Sequence, residues 1–197
     1  MTLGYAAAVR IAYHMMAAPP PIGLLFLAGT DRGLRCLQFM ERKSLKRMIA
    51  ARTDVEPDAK WEPSLLDLKP VVEQLDAYFN GMLQQFDVPL DAVGSDFQKK
   101  VWNALSQIPF GETRSYGQIA KSIRQPKASR AVGLANNQNP IAIIVPCHRV
   151  IGANGAMTGY GGGLPRKRWL LDHEARFAGI QSTTQELFVG SGPRGRR

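Results

Sequence analysis

Residues 143–151 constrain this chain more than any other stretch: seven of the nine are apolar, yet Cys147, His148 and Arg149 stand together near the centre. That composition predicts a buried β-strand, and ionisable groups buried in it need partners. Pro146 removes a backbone donor and stops the strand just before the sulfur. Cys147 is therefore expected at a strand exit, where a pocket reaches it, and it reads as a reactive cysteine. A free thiol is mostly protonated near neutrality, so it needs activation, and His148 is the obvious base or cation. Neighbours on a strand point to opposite faces. A bridging water or a local turn after Pro146 would restore the link, with a carboxylate orienting the imidazole.

Glu174 is the carboxylate best placed to do this. Pro165 suits the first turn of a helix running to about Phe177, on which Glu174 shares a face with Leu170 and Phe177. The plainer reading is a boundary glutamate paired with Arg166 or Lys167. His173, one position earlier, is expected to be exposed. Between the cysteine and this helix, half of residues 152–163 are glycine. They lack the Lys and Ser/Thr of a phosphate-binding loop and the spacing of a dinucleotide fingerprint. Glycine here lets backbone donors approach a flat ligand, or it makes a mobile hairpin.

The formal charge of +9 is unevenly divided: residues 1–91 carry a net −1 and residues 92–197 a net +10, still +7 without Arg194, Arg196 and Arg197. A polyanion is the natural partner of the second half, nucleic acid before membrane surface; a solvated basic surface is the alternative. The break in charge coincides with a break in pattern. Residues 8–17, 22–28 and 33–39 read as short strands, residues 40–62 as a long aperiodic connection, and Ser64 as the cap of a helix carrying Leu68, Val71, Leu75, Tyr78 and Phe79. After Gly94 the pattern turns helical. Ser95 opens one helix and Ser115 a shorter one; Arg124, Gln125 and Pro126 make a turn, and residues 127–137 form another helix.

That pair of short helices resembles a helix-turn-helix, although many helix pairs merely pack. Ala128, Ser129, Ala131 and Gly133 make the second helix slim, with Arg130 as its prominent long side chain. Small residues suit entry into a minor groove about 6 Å wide; they equally permit close helix packing with Arg130 solvated. Two cysteines far apart in sequence imply reduced thiols and a cytoplasmic setting, with Cys36 a small buried hydrophobe. Arg10, His14 and residues 19–21 interrupt the apolar start, so neither a signal peptide nor a membrane span is predicted.

Residues 111–174, with Pro146, Cys147, His148, Arg149 and Val150 at their core, closely resemble the O6-alkylguanine-DNA alkyltransferases. The similarity runs from Asp96 to about Phe177, with fainter echoes at Pro21, Ile22 and Gly23 and over residues 86–91. The resemblance implies an α+β protein. Residues 1–91 would form a small α/β domain, a ribonuclease H-like antiparallel sheet plus helix. Residues 92–180 would form a mostly helical, winged-helix-like DNA-binding domain, followed by a basic tail over 181–197.

It also implies roles. Cys147 would accept the alkyl group, His148 would take its proton through a water, and Glu174 would orient His148. Tyr116 would help protonate the departing base, and Arg130 would fill the stack left by the rotated nucleotide. Asn139 would be the hinge between recognition helix and active-site strand, and Tyr160 would line the alkyl pocket. Ala128, Ser129, Ala131 and Gly133 would face DNA, with Gly161 and Gly162 at the base. Gly161 stands where some members carry a hydroxyl, so only a backbone donor is expected there. The implied partner is double-stranded DNA containing O6-alkylguanine, with no metal, cofactor, membrane or obligate protein partner. A thioether offers no carbonyl for water to attack, so the protein would act once. Competing readings are a helix-turn-helix regulator with a structural or redox-sensing Cys147, a lesion binder without transfer, and a cysteine hydrolase.

Overall fold

The computed structural model describes residues 8–40, 45–53 and 58–179. The expected tail at 181–197 lies outside them, as do residues 41–44 and 54–57 of the expected connection.

Three strands, β1 (Arg10–Ala18), β2 (Gly23–Thr30) and β3 (Gly33–Met40), form an antiparallel meander. Alternation on β2 sends Leu25 and Leu27 to one face and Phe26 and Ala28 to the other, and all four are buried. Both faces are therefore covered. The expected aperiodic connection at 40–62 is corrected on this ground: it contains helix α1 (Leu45–Thr53) and strand β4 (Lys60–Pro63). Helix α1 is weakly amphipathic but brings Met48 against Ile11, Phe26, Ala28 and Cys36, a tertiary contact that periodicity does not register. Strand β4 pairs parallel to the free edge of β1 and sets Trp61 against Phe26, giving the order β3-β2-β1-β4. The antiparallel sheet is thus extended by one parallel strand into a mixed one.

On the other face lies α2 (Leu65–Phe79), capped by the Ser64 hydroxyl, which accepts from the Asp67 amide at 3.3 Å. Its buried residues Leu68, Val71, Leu75 and Tyr78 share one continuous core with Val101, Trp102, Leu105, Ile141 and Val145 of the second half. The connecting segment is pinned to the sheet. The Leu34 amide donates to the Pro89 carbonyl, the Asp91 amide to the Leu34 carbonyl, and the Thr30 hydroxyl to the Asp91 carboxylate, each at 2.8 Å.

The second half is a cluster of helices: α3 (Asp96–Ser106), α4 (Tyr116–Ser122), α5 (Ser129–Asn137) and α6 (Leu164–Phe177). Ser95 and Ser115 close capping boxes with Gln98 and Gln118, satisfying the first amides of α3 and α4 reciprocally. Helix α5 starts at Ser129, with Ala128 at the cap position and no side-chain cap. Two short parallel strands, β5 (Arg114–Ser115) and β6 (Val150–Ile151), join the start of α4 to the end of the cysteine segment. No helix among the described residues is long and apolar enough to cross a membrane.

Trp102 Nε1 donates at 2.9 Å to the Ala135 carbonyl, one of the unpaired acceptors in the last turn of α5. Trp102→Phe leaves that buried carbonyl without its donor and is expected to cost about 1–3 kcal/mol. The measurement is urea unfolding, with the midpoint lowered and the slope unchanged.

Candidate active site

The expected strand over 143–151 is corrected: only Val150 and Ile151 are extended, and Cys147–Arg149 form one turn of 3-10 helix. Asn139 explains why. Its amide nitrogen donates to the carbonyls of Val145 at 2.7 Å and Ile141 at 3.3 Å, while its oxygen accepts from the Ile141 amide at 3.0 Å. One side chain thus satisfies the backbone of a tight buried loop that has no ladder. Ile143 takes φ 70° inside it, which no strand would allow. The segment is apolar because it is buried.

The loop is also docked on the sheet. The Leu37 amide donates to the Pro140 carbonyl at 2.9 Å, and the Ala142 amide donates to the Leu37 carbonyl at 2.8 Å. Strand β3 therefore fixes the position of the residues leading to Cys147.

A 3-10 turn rotates successive side chains by about 120°, so Cys147 and His148 are no longer forced to opposite faces. His148 is fully buried, with Nε2 at 2.8 Å from Glu174 Oε1. Glu174, on the buried stripe of α6, is fully buried as well. It accepts from the Tyr78 hydroxyl at 2.8 Å, from Arg149 Nε and Nη2 at 2.8 and 2.9 Å, and from the Gly111 amide at 3.2 Å. Burial opposes its ionisation, but the His148 and Arg149 contacts overcome this and hold the carboxyl far below its usual range. A carboxylate can only accept, so His148 carries its hydrogen on Nε2 and presents a bare Nδ1. That Nδ1 is buried with no hydrogen-bond partner among the described residues. Burial, chiefly, lowers the affinity of His148 for a second proton.

Cys147 is 6% exposed. Burial pushes its thiol up, while Asn139, the charge of Lys167 and the Tyr160 hydroxyl pull it down. The Tyr160 hydroxyl lies beside the sulfur but makes no hydrogen bond of regular geometry, and burial with the nearby sulfur raises it well above an ordinary phenol. At neutral pH the cluster rests as a thiol, a neutral imidazole and a carboxylate.

The structure thus brings Cys147, His148, Glu174, Asn139 and Tyr160 together. Tyr116 stands at the rim, its hydroxyl 3.4 Å from Thr158 Oγ1 and its ring 3.7 Å from where a side chain on Gly133 would begin. Arg130 and Ala131 are exposed on α5, Ser129 and Gly133 half-buried, and Lys121, Arg124 and Lys127 are exposed on and before the turn. Gly162 has a packing reason to be glycine: a Cβ there would stand 2.5 Å from the Phe39 ring. Gly161 has room for one, 3.5 Å from Asn137 Oδ1.

His173, expected outside, is 8% exposed, stacked on Trp169 and donating from Nε2 to the Tyr78 carbonyl at 2.8 Å. Three participants escape a reading by motif. Arg149 pairs with Glu174 in place of Arg166 or Lys167, and Tyr78 comes from the other half of the chain. Lys167 is the third, and its signal is spacing: with Leu170 and Glu174 it completes one helical stripe.

Both His148 and Glu174 bind protons less readily in the folded chain than in the unfolded one. Their contribution to stability is therefore present above their unfolded values and lost as pH falls. Unfolding free energy is expected to decline below about pH 6.5 and more steeply below about pH 4.5. Glu174→Gln should cost about 3–5 kcal/mol at pH 7, because Arg149 stays buried without its counter-ion, and flatten the acid limb. Urea titrations across pH measure both.

Comparison with known proteins identifies the family. The ribonuclease-like domain of the 6-O-methylguanine DNA methyltransferases matches residues 11–92, and the DNA binding domain of the same proteins matches residues 96–176. The methylated-DNA–protein-cysteine methyltransferase of Methanosarcina acetivorans is 54% identical over 154 residues, covering 78% of this chain and 93% of its own. That of Mycolicibacterium paratuberculosis is 54% identical over 157 residues, covering 79% and 88%. The crystal structure of Mycobacterium tuberculosis OGT in complex with DNA superimposes with a TM-score of 0.72 at 50% identity, covering 86% of this chain and 94% of that one. With both domains matched in order and half of the aligned residues identical, the chain belongs to the methylated-DNA–protein-cysteine methyltransferases.

Proposed function

We propose that the chain reverses alkylation damage in double-stranded DNA by rotating an O6-alkylguanine nucleotide out of the stack and moving its alkyl group onto Cys147, once per molecule. The observation that carries this reading is a buried thiol beside a neutral imidazole with a bare Nδ1, one hinge residue away from an exposed cationic helix pair. Lys121, Arg124 and Lys127 offer phosphate contacts, and the Mycobacterium tuberculosis relative is in complex with DNA. The slim start of α5, Ser129, Ala131 and Gly133 with Ala128 at its cap, enters the minor groove, and Arg130 fills the space of the rotated nucleotide. Rotation costs a few kcal/mol, which the phosphate contacts offset.

The chemistry follows from the resting protonation states. Nδ1 of His148 takes the thiol proton, through a water, and Glu174 stabilises the imidazolium that results. The sulfur attacks the alkyl carbon as the bond from that carbon to guanine O6 breaks, and Tyr116 supplies a proton to the departing base. Tyr160 walls the alkyl group, with Gly161 and Gly162 beside the base. The products are guanine and a thioether, which water does not cleave, so the thiol is consumed. We place the domain boundary between residues 91 and 92, and read the two cysteines, Cys36 and Cys147, neither of them in a disulfide, as those of a cytoplasmic protein.

Incubation with a duplex carrying O6-methylguanine, followed by peptide mass mapping, tests this. One methyl on the Cys147 peptide, guanine restored and no more than one equivalent consumed is the expected result. Binding without a mass gain would favour the regulator or the lesion binder, and multiple turnovers would remove the single-use mechanism. Arg130→Ala is expected to slow transfer from duplex at least tenfold while leaving transfer from free O6-methylguanine base unchanged; equal loss on both would overturn its role in the stack.

A further inference from the structure

Strand β3 reaches the pocket around Cys147 from two sides. Its Leu37 backbone holds the loop before the cysteine, and the Gln38 side-chain amide donates to the Asn139 carbonyl at 2.9 Å, so the residue that closes that loop is tied to the same strand. The next residue, Phe39, stands against the glycine-rich wall. Its ring meets the Tyr160 ring edge-on, with centroids 5.9 Å apart and planes at 64°, and the Tyr160 hydroxyl lies beside the sulfur. Consecutive residues of one strand therefore set both where the sulfur sits and where the wall beside it sits.

The backbone of that wall is held on either side of Tyr160. Lys167 Nζ donates to the Thr158 carbonyl and Arg166 Nη1 to the Gly162 carbonyl, each at 3.0 Å. Between these anchors the Tyr160 ring is backed by Phe39, over which the Arg166 guanidinium lies 5.0 Å from the ring centroid. The fit is tight. A Cβ on Gly162 would stand 2.5 Å from the Phe39 ring and 2.8 Å from the Tyr160 ring, so the two rings meet over a residue that has no side chain. In a close-packed interior a deleted ring leaves a void that its neighbours partly fill. Without the Phe39 ring, Tyr160 gains space to draw back from the sulfur.

We propose that Phe39 is a positioning residue that limits the size of the alkyl group accepted at Cys147, acting through Tyr160. The consequence for DNA rests on Cys147 being the alkyl acceptor; the width of the pocket at the sulfur does not.

A small and a large electrophile, compared on the full chain, test this. Transfer to Cys147 is timed with duplexes carrying O6-methylguanine or O6-benzylguanine, and separately with iodoacetamide or N-benzyliodoacetamide, each read by peptide mass so that Cys36 is counted apart. A single methylene of misfit in an apolar pocket changes a rate about tenfold or more, so Phe39→Ala should raise the ratio of large to small about tenfold in both assays. An unchanged ratio overturns the proposal, and so does a proportionate fall of both rates, which is what mere loss of stability produces. In a Tyr160→Ala background Phe39→Ala should move the ratio less than about twofold; the same rise there overturns the route through Tyr160.

Should Phe39→Ala fail to fold, Phe39→Leu should raise the ratio about threefold, and an unmoved ratio in that variant overturns the proposal. A parent chain that reacts with both haloacetamides but takes no alkyl group from DNA would overturn the repair reading. The haloacetamide ratios would still decide the role of Phe39.

Discussion

A single buried carboxylate organises this molecule. Glu174 gathers four donor residues from three separate places: Tyr78 on α2, Gly111 before β5, and His148 and Arg149 in the 3-10 turn. None of these contacts is dispensable in isolation, because a charge taken out of water is tolerable only when its lone pairs are occupied. The need to satisfy one group therefore fixes the orientation of an imidazole, a guanidinium, a helix and the packing of the two halves. Arg149 is held at its far side too, donating from Nη1 to the Ile108 carbonyl at 2.6 Å and lying over the Phe110 ring. The imidazole next to Cys147 is oriented by a network, not by one partner.

The first half of the chain contributes to this cluster, although it holds neither Cys147 nor His148. It supplies the Tyr78 hydroxyl to Glu174 and the Leu37 backbone to the loop before Cys147. Phe39 also meets the Tyr160 ring edge-on at 5.9 Å. Arg166 returns the connection from α6, donating to the carbonyls of Ile22 and Pro21 at 2.9 and 3.2 Å. The shared core across both halves follows from these anchors.

Much of this was legible in the sequence because it depends on local rules. Ser64, Ser95 and Ser115 cap helices where a hydroxyl precedes an apolar stripe, and β1 to β3 follow alternation and turn residues. The cysteine, its histidine and the glutamate on a helical stripe were likewise readable. What was not legible is what tertiary contact decides. Helix α1 forms against the underside of a sheet, and β4 forms because β1 has a free edge. Residues 143–149 are apolar like a strand but are closed into a loop by Asn139, whose effect on the residues after it has no periodicity. His173 is drawn inside by aromatic neighbours from α2 and α6. Tyr78 and Lys167 each occupied an apolar stripe, where a polar tip is indistinguishable from core until its partner is seen.

The pairing of Leu37 with the loop before Cys147 has a consequence for the fate of the molecule. Strand β3 is the outer strand of its sheet, and the outward backbone of such a strand is a template for pairing with other chains. Here the loop before Cys147 covers that edge, joined along the strand by the bridge from Leu34 to Leu90. Any disturbance that unseats the loop also uncovers the edge. The seating of the loop before Cys147 and protection against self-association are thus secured by the same few backbone hydrogen bonds, and a molecule with a displaced loop is marked by an exposed strand.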